Sequence, residues 1–131
     1  MGKVVITHID EAPWIRENPR EDGPRKLGTR LIGEEAQGIR AYITSLAPGF
    51  ETPVHTHTQD EIIYVIEGSL LLGKRTLGPG SVLLIQQDTQ YQFQAGEDGV
   101  RFMNTRPGPA EYRPIKPSGQ AAPGDNPPSG Q

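Results

Sequence analysis

The sequence contains no cysteine and no long hydrophobic run. The absence of cysteine excludes a disulfide framework, a thiolate metal site and a cysteine nucleophile. No stretch reaches the roughly 18 consecutive apolar residues of a membrane span. A large excess of one sign of charge is also lacking, because the chain has thirteen basic and sixteen acidic residues. Neither nucleic acid nor an anionic membrane is therefore favoured as a partner. The N-terminus does not show the basic-then-apolar order of a secretory signal, and we expect a soluble, cytoplasmic protein with a small-molecule substrate.

Apolar residues are scarce as well, at 34% of 131 residues, but the polarity is unevenly distributed. Residues 106–131 contain seven of the thirteen prolines, and such a segment buries too little surface to offset its ordering entropy. Residues 29–105 have an ordinary globular composition. We therefore predict one folded domain over 29–105, preceded by an N-terminal strand and loop over 1–28. Residues 106–131 are predicted to be an extended strand that continues into a mobile, Pro/Gly-rich tail.

Helical periodicity is almost absent, and glycine or proline interrupts the chain every eight to twelve residues or so. Short β-branched and aromatic runs between these breaks are typical of an all-β sandwich or barrel. The segment Pro13–Gly23 is predicted to be a loop, and Gly96–Gly99 a turn. Strands are predicted at Val4–Ile9, Lys26–Ile32, Ile39–Leu46, Val54–Thr56, Glu61–Glu67, Ser69–Leu72, Lys74–Leu77, Ser81–Ile85, Tyr91–Gln94 and Val100–Thr105.

Two of these runs, Ile62–Ile66 and Val82–Ile85, are continuously apolar rather than alternating. A strand that is apolar on both faces is covered on both faces. In a small barrel one face packs inside, and the other packs against a second sheet or a partner subunit. The pattern therefore favours a homodimer.

His55 and His57 are two of only three histidines in the chain, and a single residue separates them. On an extended strand, residues i and i+2 point to the same face, so both imidazoles can converge on one point. Glu61 follows at an even spacing that can return its carboxylate to that face. Two imidazoles and one carboxylate suit a divalent first-row metal and leave positions open for water and substrate. The alternative is that His-x-His is a pair of exposed polar residues.

The spacing around these histidines resembles the first motif of the cupin superfamily. Gly49, five residues, His55, one residue, His57, three residues, Glu61, six residues and Gly68 reproduce that motif. The resemblance covers residues 29 to 105. It implies a jelly-roll barrel (a double-stranded β-helix), often dimeric, that binds a metal such as Fe, Mn, Ni, Zn or Cu inside the barrel.

The resemblance also implies functions for individual residues. His55, His57 and Glu61 match three of the four metal ligands of the family. The N-terminal strand, around Val4–Ile9, is implied to add to the sheet of a partner subunit. These implications give a divalent transition metal as the cofactor, with Fe(II) first and Mn, Ni or Zn as alternatives.

The second cupin motif departs from the family pattern. When its first glycine is aligned on Gly80, Tyr91 stands where the family has its fourth ligand, a histidine. Three interpretations of Tyr91 remain open: a phenolate ligand of the metal, an acid or base beside a three-residue metal site, or a core tyrosine in a barrel that binds metal weakly or not at all. Gln90 or Gln92 could supply an amide oxygen instead if the strand register slips by one.

Three functions are compatible with these residues, and the first of them is favoured. A two-histidine, one-carboxylate site is used by non-haem Fe(II) oxygenases, which predicts a dioxygenase-like oxidoreductase acting on a small organic molecule. A non-redox isomerase, lyase or cyclase would use Tyr91 and Glu61 as acid and base. The third alternative is a non-enzymatic, ligand-binding barrel.

The sequence also indicates which residues could surround the site. Apolar walls are expected from Ile43, Leu72, Leu84, Phe93 and Phe102. Four polar residues lie on strands that could line the mouth of the barrel, where an arginine would suit a carboxylate substrate: Arg40, Tyr42, Asn104 and Arg106. The favoured interpretation of the two arginines is that they are solvated residues at strand ends.

Overall fold

The computed structural model describes residues 2–17, 28–33, 38–108 and 112–114. Its strands, in chain order, are β1 Trp14–Glu17, β2 Gly28–Ile32, β3 Arg40–Leu46, β4 His55–His57, β5 Glu61–Leu72, β6 Arg75–Leu77, β7 Val82–Ile85, β8 Gln94–Arg106 and β9 Tyr112–Pro114. These ranges contain no helix, so the all-β prediction is confirmed. Within the same ranges there is accordingly no helix capable of crossing a bilayer.

The strands form one large antiparallel sheet and one small one. In the large sheet the order is β1-β2-β3-β8-β5-β6, and β7 also pairs with β5. In the small sheet β4 pairs with β9. The long strands β5 and β8 pair with each other, and β8 lies between β3 and β5. The main length of β8 is therefore flanked by neighbouring strands on both sides.

Two strand predictions merge in β5, and one predicted turn is wrong. Glu61–Glu67 and Ser69–Leu72 form a single strand with register shifts near Gly68, and Gly96–Gly99 lies inside β8 rather than in a turn. Gly68 has a φ of +73°, and a Cβ on it would lie 2.1 Å from the carbonyl oxygen of Gly99. Because Gly68 lacks a side chain, β5 and β8 approach closely enough to stay paired through the bulge.

The N-terminal part also departs from the sequence predictions. The first strand is β1 at Trp14–Glu17, inside the segment predicted to be a loop. β1 lies at the edge of the sheet and pairs only with β2 among the described strands, so its conformation depends on a partner that is distant in sequence. Val4–Ile9 forms no strand with the described residues. The predicted mobile tail beyond residue 115 lies outside the described residues.

The apolar core of the barrel lies between β5, β8 and the segment before β8. Its buried members are Ile63, Val65, Leu70, Phe93, Ala95, Val100 and Phe102. The opposite face of β5 and β7 is different, because Ile62, Tyr64, Val82 and Leu84 are all exposed. Leu84 is 65% exposed and is therefore not the pocket wall that the sequence predicts.

Candidate functional site

The strand β4 places His55 and His57 on one side of the small sheet, with one residue between them. Their ring centroids lie 5.0 Å apart, and both side chains are buried. Tyr91 lies directly opposite His55, because each of the two residues donates its backbone N–H to the carbonyl of the other at 3.1 Å. Directly opposed residues in an antiparallel pair present their side chains to the same face. The ring of Tyr91 consequently stands 4.3 Å from that of His55, centroid to centroid.

His55 is fixed in orientation by the backbone beside it. Its Nδ1 lies 2.7 Å from the carbonyl oxygen of Pro53, so Nδ1 carries the proton and donates, which leaves Nε2 with the lone pair. Burial lowers the pKa of His55 below 6.5, and the charge of Arg106 lowers it further, against the opposing effects of the Pro53 hydrogen bond and Glu61. The imidazole is therefore neutral at pH 7, which is the form that binds metals.

Glu61 begins β5 and points into the barrel, where it is 3% exposed. Its Oε1 accepts a hydrogen bond from the hydroxyl of Tyr91 at 2.9 Å and lies 4.0 Å from Nε2 of His57. The four residues that the sequence singles out thus come together: His55, His57, Glu61 and Tyr91 surround one side of the interior.

Arg106 and Asn104 complete the group, and sequence analysis missed their contact with Glu61. Arg106 donates from Nη2 to Oε2 of Glu61, and the same oxygen accepts from Nδ2 of Asn104 at 3.2 Å. The hydroxyl of Thr44 in turn donates to Oδ1 of Asn104 at 3.2 Å. Arg106 is 3% exposed, so the expectation of a solvated strand end is wrong for this residue.

The register of β5 and β8 explains this arrangement. Ile63 pairs with Asn104 and Ile62 with Thr105. One step further in the same register, Arg106 stands beside Glu61 on the neighbouring strand. The signal in the sequence was that Asn104 and Arg106 are polar residues on a strand of the barrel, but only the register shows that they meet Glu61.

A small pocket, with about 10 Å³ of space, opens beside this group. It is lined by His55, Glu61, Ile63, Tyr91, Phe93, Phe102 and Asn104. Phe93 and Phe102 therefore serve as the predicted apolar walls, whereas Ile43 and Leu72 do not line this pocket. Gln90 is exposed and Gln92 donates to Glu51 at 2.8 Å, so neither glutamine replaces Tyr91.

The two histidines fit a metal better than the carboxylate does. A metal-binding imidazole commonly donates its second ring N–H to a backbone carbonyl, as His55 does to Pro53. Two ligand atoms that each lie about 2.1 Å from one ion are at most about 4.2 Å apart. Nε2 of His57 and Oε1 of Glu61 are 4.0 Å apart, which is within that limit. Even so, in the described part of the chain no three His, Cys, Asp or Glu side chains surround one point closely enough to hold an ion. Glu61 is instead engaged by Arg106, Asn104 and Tyr91.

Residues 42–105 match the family model of the cupin domain. No curated protein sequence matches the chain. Among solved structures, the polyketide cyclase RemF from Streptomyces resistomycificus is 25% identical, with a TM-score of 0.66 over 88% of this chain and 86% of that one. An RmlC-like cupin protein from Ralstonia eutropha is 18% identical, with a TM-score of 0.68 over 89% and 76% of the two chains. A candidate acetylacetone dioxygenase from Methylibium petroleiphilum is 16% identical, with a TM-score of 0.69 over 93% and 88%.

These comparisons agree with the all-β architecture and with the spacing of the first motif. The two structures below 25% identity share the fold, and the prediction of a jelly-roll barrel is confirmed. The region of the family match begins on β3 and ends on β8, and it includes His55, His57, Glu61 and Tyr91. The chain therefore contains a small domain of the cupin superfamily.

Proposed function

We propose that the protein is a metal-assisted acid–base enzyme, of the isomerase, lyase or cyclase type, that moves a proton on a small organic molecule. The observation that carries this proposal is the hydrogen bond of 2.9 Å from the Tyr91 hydroxyl to Oε1 of Glu61. Both residues line the pocket, so a bound molecule can reach the Tyr91 oxygen while the proton of Tyr91 has an acceptor behind it.

The metal in this proposal is a divalent transition ion held by His55 and His57. Cupins commonly bind metal, and the neutral Nε2 of His55 supports a ligand role for this residue. When bound, such an ion supplies Lewis-acid polarisation of a carbonyl or carboxylate oxygen. Because non-redox polarisation does not depend on one oxidation state, Mn, Ni and Zn serve as well as Fe in this function.

In this proposal, Tyr91 and Glu61 carry out the proton transfer. The Tyr91 oxygen takes a proton from a substrate carbon while its own proton passes to Oε1 of Glu61. The reverse transfer then delivers a proton to another substrate atom, so no proton is gained or lost overall. Arg106 and Asn104 keep the carboxylate oriented toward Tyr91. Phe93 and Phe102 reduce the access of water to the exchange.

The similarity to RemF supports this class of reaction. That protein is a polyketide cyclase, its sequence is 25% identical to this one, and the match covers most of both chains. Cyclisation is among the reactions that polarisation of a carbonyl and movement of a proton can promote. The compound that this chain transforms is proposed only as a small carbonyl or carboxylate compound.

The test is exchange of carbon-bound hydrogen for deuterium in small carbonyl compounds such as pyruvate, followed by proton NMR with Zn²⁺ present. Tyr91→Phe is expected to lower the exchange rate by about 10²-fold or more and to leave Zn²⁺ affinity unchanged. Tyr64→Phe is the control, because Tyr64 lies on the exposed face of β5. Exchange that proceeds equally well in Tyr91→Phe would refute the proposal.

A dioxygenase is the second candidate function. The apolar side of the pocket, formed by Ile63, Phe93 and Phe102, suits a reaction that must be protected from bulk water. In a three-residue oxygenase site the metal would compete with the Tyr91 hydroxyl for Oε1 of Glu61. Fe(II)-dependent oxygen uptake that disappears in His57→Ala would favour this candidate.

A purified protein without metal, and without affinity for added Fe, Mn, Ni or Zn, would favour a non-enzymatic ligand-binding barrel.

We also propose that the protein is a homodimer. The exposed apolar face consists of Ile62 and Tyr64 on β5 and Leu84 and Val82 on β7, which pair with them in register. None of these four side chains is charged. A second copy offers an identical, self-complementary surface about a two-fold axis, which is the commonest symmetry of soluble oligomers.

A further inference from the structure

The carboxylate of Glu61 is satisfied by neighbouring side chains on both of its oxygens. Tyr91 donates to Oε1, and Arg106 and Asn104 both donate to Oε2. Asn104 is itself fixed by the hydroxyl of Thr44. The carboxylate is thus oriented by three donors from β8 and the segment before it, whereas the cupin motif implies that it faces a metal.

The charges of the pair reinforce this arrangement. Arg106 and Glu61 are each 3% exposed, so the guanidinium and the carboxylate neutralise one another away from water. A metal that bound Oε1 of Glu61 would displace the hydrogen bond from Tyr91 and would bring a dication close to the buried guanidinium. Both effects oppose coordination by Glu61, and neither removes the two histidines as ligands.

We propose that Arg106 is a positioning residue that withholds Glu61 from the metal and keeps it as the proton acceptor of Tyr91. His55 and His57 would then be the residues that hold the metal. This inference rests on the proposed metal-assisted function, and it assigns Glu61 to proton transfer alone. It makes Arg106 the residue that distinguishes this site from one with a carboxylate ligand.

The test is the affinity for Zn²⁺, measured by calorimetry, of the wild type, Arg106→Met and the double variant Arg106→Met/Glu61→Gln. The double variant is matched to the wild type in net charge, because one positive and one negative side chain are removed together. It also replaces a buried ion pair by a neutral pair, a change that proteins commonly tolerate. Circular dichroism confirms folding before each titration.

The expected result is that the double variant binds Zn²⁺ within about threefold of the wild type, since neither uses Glu61 as a ligand. Arg106→Met is expected to bind at least about tenfold more tightly, because Glu61 is released to the metal and the neighbouring positive charge is gone. Binding by the double variant that is about tenfold or more weaker than that of the wild type would overturn the inference, because Glu61 would then be a ligand.

Two further outcomes separate this inference from the proposed function. If the wild type binds no Zn²⁺ but Arg106→Met does, the metal-assisted function fails and the withholding of Glu61 by Arg106 stands. If neither protein binds Zn²⁺, both are overturned. Should Arg106→Met not fold, the charge-matched comparison between wild type and double variant still tests whether Glu61 is a ligand, and weaker binding by the double variant would overturn the inference.

Discussion

Arg106 and Glu61 form an ion pair inside the barrel, although 45 positions of sequence separate them. Their side chains are 2% and 3% exposed. A buried ion pair gains Coulomb energy in a low-dielectric surrounding but loses the hydration of two charges, so its net contribution to stability is small. Removal of one partner is strongly destabilising, because the remaining charge stays buried away from water and no longer has the attraction of the opposite charge.

Arg106→Met is therefore expected to destabilise the fold strongly, by about 3–5 kcal/mol. Arg106→Met/Glu61→Gln is expected to recover most of this loss, because no unpaired charge remains. Urea unfolding followed by circular dichroism measures both. Arg101→Met is the control, because its carboxylate partners, Glu67 at 3.8 Å and Asp10 at 3.9 Å, are 41% and 65% exposed. Both carboxylates stay hydrated when Arg101 is removed, so the loss is expected to be smaller, about 1 kcal/mol. Equal losses in Arg106→Met and the double variant would contradict this expectation.

Much of the site could be predicted from local spacing. His55 and His57 share a face because a strand alternates its faces with a period of two, and this rule needs no knowledge of the fold. Glu61 lies on the next strand, β5, so its spacing from the histidines indicates the convergence only together with the family motif. Tyr91 required the family spacing as well, because it is far from His55 in sequence. The two residues face each other only where the chain returns to the strand β4, and the position of Tyr91 in the second motif indicates that return.

The contacts of Arg106 and Asn104 with Glu61 could not be predicted in the same way. A charged residue at a strand end is usually solvated, and nothing local distinguishes Arg106 from such a residue. Its burial depends on the register between β5 and β8, which is a long-range property of the sheet. The strand β1 escaped prediction for a related reason, since its pairing partner, β2, lies beyond a charged and glycine-containing break in the sequence.

Gly68→Ala is expected to destabilise the fold more than Gly73→Ala does. Both glycines have a positive φ, so each alanine carries about 1–2 kcal/mol of backbone strain. At Gly68 the added Cβ would also lie 2.1 Å from the carbonyl oxygen of Gly99, which adds about 1–3 kcal/mol of overpacking. Gly73 has no atom of the described residues within 4 Å of the same position and is the matched control. Urea midpoints compare the two variants, and equal midpoints would show that β5 and β8 separate at little cost.

The stability of the metal-free protein is expected to fall as the pH drops below about 6.5. Burial lowers the pKa of His55 in the folded state, so the unfolded chain takes up a proton at a pH where the folded chain does not. The unfolded state then binds more protons, and stability decreases with falling pH until the folded pKa is reached. The slope for one proton is at most about 1.4 kcal/mol per pH unit. Urea unfolding at several pH values with a chelator measures it, and a slope that is the same in His55→Gln would assign the effect to other groups.

The homodimer predicts a mass in solution of twice the chain mass at micromolar concentration, measured by sedimentation equilibrium. Leu84→Lys is expected to shift the equilibrium to the monomer, because an ammonium buried within the apolar face has no counter-charge there. The fold should not change, since Leu84 is 65% exposed in the single chain. Thr76→Lys introduces the same charge at an exposed position on β6, outside the four-residue face, and should leave the mass unchanged. A wild-type protein that sediments as a monomer would leave the apolar face of β5 and β7 without a second copy and would refute the dimer.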